Sequence, residues 1–211
     1  LDELLEGGEI DLLTSGNHIW DKREALDLIQ DEARLLRPHN YPEKTPGSGW
    51  AVVTGSNGVE VGVLNIMGTV FMHPTLDCPF RCVDDVLTRK PETLKVILVD
   101  FHAEATSEKV AMGWYLDGRV SGVVGTHTHV PTADERVLPK GTAHISDVGM
   151  TGCYNSVIGV ETSGILKRFV DRVPERMEPA SGPGSVCGVV IDVDETSGLS
   201  RSIERVRVDE N

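Results

Sequence analysis

The chain lacks the features on which three broad functional classes depend. No apolar run approaches the roughly 20 residues needed to cross a bilayer, so no membrane-spanning helix is expected, and no signal-peptide pattern is read. Positive charge is scarce: 20 Lys and Arg stand against 33 Asp and Glu, a formal net charge of −13. A sequence-independent grip on long nucleic acid needs a dense basic face, and an anionic membrane surface attracts the same kind of face. Neither partner is expected. A small phosphate compound remains admissible, because bound divalent cations reverse the local sign of a site. Cysteine is sparse as well, at four positions. Cys78 and Cys82 are spaced C-x3-C, but Cys153 and Cys187 do not supply the second pair of a structural zinc site. Free thiols in a reducing cytoplasm are the better reading.

What is present is the balance of an ordinary soluble domain, 39% apolar and 25% charged. The 211 residues suit one domain, spanning 1–211, that buries a core without disulfides. The chain starts without methionine on Leu1-Asp2-Glu3-Leu4-Leu5-Glu6-Gly7-Gly8, which reads as the end of an amphipathic helix with a segment expected upstream.

Hydrophobic patterning predicts a buried strand over residues 10–15, then a helix over 22–30 capped by Asp21, and a short strand over 34–37. Residues 39–49, rich in Pro, Gly and Asn, read as loop. Strands over 50–54 and 59–66 flank Asn57-Gly58, a strong hairpin signal. A helix is expected over 79–89, a central buried strand over 94–99, a helix over 107–116 and a buried strand over 120–124. Strand segments over 136–138 and 143–147, a helix over 165–173, and an antiparallel pair over 186–193 and 203–208 complete the chain. Helices alternate with strands early and hairpins dominate late, which favours a mixed α/β sandwich over a doubly wound sheet.

Three histidine-bearing loops each follow a predicted buried strand: Gly16-Asn17-His18, Asp100-Phe101-His102-Ala103-Glu104 and Gly125-Thr126-His127-Thr128-His129. Sites in open α/β sheets gather at the carboxyl ends of strands. Neutral imidazole suits transition metals, and an Asn oxygen can complete a shell. On an extended segment, His-x-His puts both rings on one face, able to hold one metal or an adjacent pair. Taken singly, each motif has a plainer reading: Asn-His in a turn satisfies backbone groups, and His102 alone reads as a hydrogen-bonded core histidine. All three together at strand ends are hard to attribute to chance. His39 lies in a loop that borders a candidate substrate pocket; His73 and His144 read as surface or structural. Glu104 and Glu108 read as caps of the following helix.

In this order, the three motifs resemble the later half of the calcineurin-like metallophosphoesterase signature. The longer strings Gly16-Asn17-His18-Ile19-Trp20-Asp21, Asp100-Phe101-His102-Ala103-Glu104-Ala105-Thr106-Ser107-Glu108-Lys109 and Gly125-Thr126-His127-Thr128-His129-Val130-Pro131 narrow the resemblance, with Ser146-Asp147-Val148-Gly149-Met150-Thr151-Gly152. Together they are similar to the bacterial YmdB-like branch of 2′,3′-cyclic-nucleotide 2′-phosphodiesterases, over residues 11–159. The resemblance implies a four-layer α/β/β/α sandwich with a dinuclear centre of iron or manganese, with zinc or magnesium as alternatives. It implies that Asn17, His102 and His127 hold one metal, that His129 helps to hold the other, and that His18 contacts the phosphate and protonates the leaving oxygen. Two such metals would bind the phosphate oxygens and make hydroxide from a bridging water, and a histidine can give the departing ribose oxygen its proton.

The family's first metal-binding strand, ending in Gly-Asp, and the following Glu-Asn pair have no counterpart here, so this first βα portion is expected upstream of Leu1. Cys153-Tyr154-Asn155 stands where the family tends to have Pro and Asp. The expected function is hydrolysis of small phosphodiesters, with a phosphomonoesterase or nucleotidase as the alternative. A domain without the carboxylate strands would instead be an inactive, partner-binding form. The expected partner is a small phosphodiester or nucleotide, and a homo-oligomer is compatible with the sequence.

Overall fold

The computed structural model describes residues 10–210 together with Leu5 and Gly7; the helix end read over residues 1–8 otherwise lies outside the described residues. In chain order the elements are β1 (Leu13–Thr14), α1 (Glu24–Asp31), β2 (Leu35–Leu36), β3 (Trp50–Thr54), β4 (Glu60–Met67), α2 (Pro79–Arg89), β5 (Val96–His102) and α3 (Thr106–Leu116). They continue with β6 (Gly122–Thr126), β7 (Arg136–Val137), β8 (Ala143–Ile145), β9 (Thr151–Cys153), α4 (Thr162–Asp171), β10 (Gly184–Val193) and β11 (Ser200–Asp209).

Six strands form one sheet in the order β3-β4-β5-β6-β8-β7. Its four middle strands run parallel, and β3 and β7 pair antiparallel at the edges. β5 is buried along most of its length, as its unbroken apolar run requires of a central parallel strand. The Asn57-Gly58 hairpin forms as expected: Gly58 takes φ 82°, and Asn57 Oδ1 accepts from the Val59 N–H at 3.1 Å. The antiparallel pair β10–β11 also forms, and β9 joins β10 to make a three-stranded sheet. β9 is absent from the sequence expectation because Thr-Gly-Cys has no alternation; pairing with β10 alone makes it a strand.

The apolar residues sort into two cores. Helices α2 and α3 cover one face of the large sheet, with Val83, Val86, Met112 and Leu116 meeting Leu64, Ile66, Val99 and Phe101. Pro79 sits in the first turn of α2, where its missing N–H costs nothing. On the opposite face, Ala143, Ile145 and Val124 pack against Val189, Ile191 and Ile203 of the three-stranded sheet. The helix layer, the large sheet and the smaller sheet thus stack as a mixed α/β sandwich. No helix among the described residues is long and apolar enough to cross a membrane.

Two features of this frame position the site. The register sets His102 beside Met67 on one side and Thr126 on the other, so the carboxyl ends of β4, β5 and β6 lie level. The short parallel pair β1–β2 is fastened to the large sheet by the buried Asn65. Its Nδ2 donates to the carbonyls of Ser15 at 2.8 Å and Leu36 at 3.1 Å, which holds the start of the Gly16-Asn17-His18 loop. Asp21 does not cap the next helix. α1 begins at Glu24, and Asp21 serves His18 instead.

Candidate active site

Two glycines make room for the site. A Cβ at Gly16 would fall 2.2 Å from His102 Nε2, so the imidazole rests where a side chain would otherwise be. At Gly125 it would fall 1.7 Å from the Ser146 carbonyl oxygen, so only glycine lets β6 run this close to the strand beside it. After Thr126 the chain leaves the extended conformation: His127 has φ 106° and His129 φ 68°. The period-two expectation for His-x-His therefore fails. With both residues in the left-handed region, His127 meets His102 and His129 meets the Ile158 carbonyl.

Asn17, His102 and His127 come together. His102 Nε2 lies 2.9 Å from Asn17 Oδ1 and 3.1 Å from His127 Nδ1, with the two rings edge to face at 4.8 Å. The surrounding partners determine what these atoms present to one another. The Thr126 hydroxyl donates to Asp100 Oδ1 at 2.8 Å, so its lone pair accepts the Nδ1–H of His102 at 3.0 Å. Glu104 Oε2 lies 3.1 Å from His127 Nε2 and accepts its N–H, which fixes the proton on that nitrogen. With those protons placed, His102 Nε2 turns a lone pair toward both the Asn17 carbonyl oxygen and His127 Nδ1.

Both rings are held neutral. Burial, followed by the charges of His127, Lys109 and His18, lowers the His102 pKa to about 3. Burial also lowers His127, with Glu104 opposing it. Asp100 is buried, which pushes its carboxyl up, while the hydroxyls of Thr14 and Thr126 favour its charged form.

Two acceptors, Asn17 Oδ1 and His127 Nδ1, each at hydrogen-bond distance from a third, His102 Nε2, fit a cation. Two ligands at right angles on an ion, each about 2.1 Å from it, stand about 3 Å apart, which matches the separations here. The acceptors that orient both imidazoles are the outer partners such ligands ordinarily have. Among the described residues no group of three or more His, Cys, Asp or Glu side chains is arranged for a metal. The cluster is two imidazoles and an amide, a neutral set.

The other two expected residues stand at the rim. His129 is exposed and donates Nδ1–H to the Ile158 carbonyl at 2.8 Å, leaving Nε2 free. His18 is largely exposed, with Nδ1 held by Asp21 Oδ2 at 2.8 Å and Nε2 free. Neither glutamate caps α3, whose first residue follows Ala105 without a side-chain cap. Glu104 turns back to His127, and buried Glu108 accepts from the N–H groups of Thr69 at 2.9 Å and Val70 at 3.2 Å, tying the loop after β4. His144 is buried, its ring packed on Gly113 of α3. The roles of Thr126, Asp100 and Glu104 are not legible in the sequence, because strand register, invisible in one chain, brings them to His102 and His127. All four cysteines are unpaired.

Comparison with known proteins gives a consistent picture. The profile of the YmdB-like protein family matches residues 1–206. A 2′,3′-cyclic-nucleotide 2′-phosphodiesterase of Bacillus subtilis is 49% identical over 208 residues, covering 99% of this chain and 78% of that protein. A putative phosphatase/phosphodiesterase of Mycoplasma genitalium is 33% identical, covering 98% of this chain and 74% of its own length. The crystal structure of a hypothetical protein from Thermus thermophilus superposes with TM-score 0.91 at 41% identity, over 99% of this chain and 80% of that one. That of a novel phosphatase from Mycoplasma pneumoniae superposes with TM-score 0.90 at 32% identity, over 99% and 75%. The sandwich is shared with both.

Proposed function

Because the chain belongs to the YmdB-like family, we propose that it is a metal-dependent phosphoesterase that hydrolyses small phosphodiesters, with 2′,3′-cyclic nucleotides as the substrate class. The observation that carries this reading is the meeting of His102 Nε2 with two further acceptors, Asn17 Oδ1 at 2.9 Å and His127 Nδ1 at 3.1 Å. In the proposal these three hold one ion, and His129, through its free Nε2, helps to hold a second. Iron or manganese suits such a nitrogen and oxygen set, with zinc or magnesium as the alternatives. When bound, such ions supply positive charge against the phosphate oxygens and activate water at neutral pH.

The chain's own residues have distinct tasks. Thr126 with Asp100 and Glu104 keep His102 and His127 in the tautomers that face the cluster. Asp21 orients His18, whose free Nε2 gives a proton to the departing ribose oxygen. The net charge of −13 makes a long nucleic acid an unsuitable substrate and leaves small nucleotides as the fitting ones.

The test is a comparison of turnover on bis-aryl and mono-aryl phosphates by the purified protein in Mn²⁺ or Fe²⁺. Faster diester hydrolysis is expected, and equal or faster monoester turnover sinks the diesterase reading. Monoester hydrolysis is the second reading, favoured by the double description of the Mycoplasma genitalium relative as phosphatase/phosphodiesterase.

A further inference from the structure

Asp147 and Lys109 form an ion pair deep in the protein. Lys109 Nζ donates to Asp147 Oδ2 at 2.8 Å, with the two side chains 2% and 1% exposed respectively. Taking two charges out of water is expensive, and an apolar pair of similar volume generally holds a fold as well or better. Stability alone therefore does not account for this pair.

The remaining contacts of Asp147 say what it does. Oδ2 also accepts from the Thr128 N–H at 3.0 Å and the Thr128 hydroxyl at 2.7 Å, and Oδ1 accepts from the Gly149 N–H at 2.9 Å. Its backbone is held in turn by Thr132, whose hydroxyl accepts from the Asp147 N–H at 2.9 Å. Thr128 is the residue between His127 and His129, both of which have positive φ. Side-chain-bearing residues persist in that region only where their surroundings impose it. Thr128, between the two histidines, is gripped at both its N–H and its hydroxyl by one buried carboxylate.

We propose that Asp147 is the positioning residue of the histidine loop, clamping Thr128 so that His127 turns inward to His102 while His129 turns to the rim. Lys109 balances the buried charge, and Thr128 takes up the remaining acceptor capacity of Oδ2. This rests on the metal-site reading above, since the loop's geometry matters there for binding ions.

The experiment measures Mn²⁺ affinity by titration alongside the melting temperature, in variants that leave no buried charge unpaired. Lys109→Met with Asp147→Asn keeps an amide oxygen for Thr128, whereas Lys109→Met with Asp147→Ala removes it. At matched melting temperatures the alanine form should bind Mn²⁺ about tenfold or more weakly than the asparagine form. Equal affinities overturn the positioning role. Thr128→Val deletes one of the clamping hydrogen bonds without touching the ion pair and should weaken Mn²⁺ binding several-fold. If the double variants do not fold, an unchanged affinity in Thr128→Val overturns the proposal by itself. Wild-type protein that takes up no Mn²⁺ overturns the metal-site reading and this inference with it, whereas uptake unaffected by the variants overturns this inference alone.

Discussion

Replacing Gly16 by alanine tests the geometry of the cluster with one methyl group. The added carbon would lie 2.2, 2.3 and 2.6 Å from Nε2, Cε1 and Cδ2 of His102. Carbon atoms in contact sit about 3.5–4.0 Å apart, so the ring and the methyl must separate by more than about 1 Å. The ring has little freedom to retreat, because its Nδ1 is held by Thr126 and the His127 ring stands edge to face with it at 4.8 Å. Crowding of this kind in a packed region costs about 1–3 kcal/mol of stability. A displacement of about 1 Å at a reacting centre costs about 100-fold in rate, or about 2.7 kcal/mol of transition-state stabilisation. Gly16→Ala should therefore fold, melt a few degrees lower, lose Mn²⁺ affinity and drop about 100-fold in kcat/KM on a bis-aryl phosphate. Gly125→Ala is the contrast: its methyl would strike the Ser146 backbone carbonyl, which no side-chain rotation relieves, so loss of the fold is expected there. A Gly16→Ala protein with kcat/KM within about threefold of wild type and full metal uptake refutes the reasoning, because His102 would then not need its present position.

Four further outcomes are expected. His18→Ala should keep its metal and lose about 10²–10⁴-fold in kcat; an emptied site, measured by metal content, would make His18 a ligand instead. His102→Ala and His127→Ala should each abolish binding of one ion per chain, read by elemental analysis of the dialysed protein. Asn65→Leu removes the donor to the Ser15 and Leu36 carbonyls and should cost about 1–3 kcal/mol in denaturant unfolding, with weaker metal binding because the loop carrying Asn17 loosens. His144 is held below its ordinary pKa by burial, against the opposing charge of Asp134. The unfolded chain then takes up a proton first, so stability falls as pH drops below about 6.5. Comparing unfolding midpoints at pH 7.5 and 5.5, His144→Leu should show a smaller decrease than wild type, and an equal decrease would mean that His144 does not contribute.

The fold was legible wherever a local signal sufficed. The apolar run of β5, the Asn-Gly hairpin between β3 and β4, and α2, bounded by Pro79 and Pro91, depend on neighbours in the chain, and each lies within a few residues of its expected place. Asn17, His18, His102, His127 and His129 stand out as candidates in the same way, because imidazole-bearing loops after apolar strands form a pattern within one chain. Tertiary structure decided how these residues are used. Strand register set Thr126 beside His102, and the turn of the backbone sent His127 and His129 in different directions. Asp21 and Glu104, which read locally as helix caps, were taken by histidines they meet only once the chain is folded, at 2.8 and 3.1 Å. Periodicity and turn chemistry are properties of a few consecutive residues. A hydrogen bond between distant side chains needs the packed sheets to bring its partners together, so the candidate residues could be named from the sequence, and the partners that Thr126, Glu104 and Asp147 provide came only from the fold.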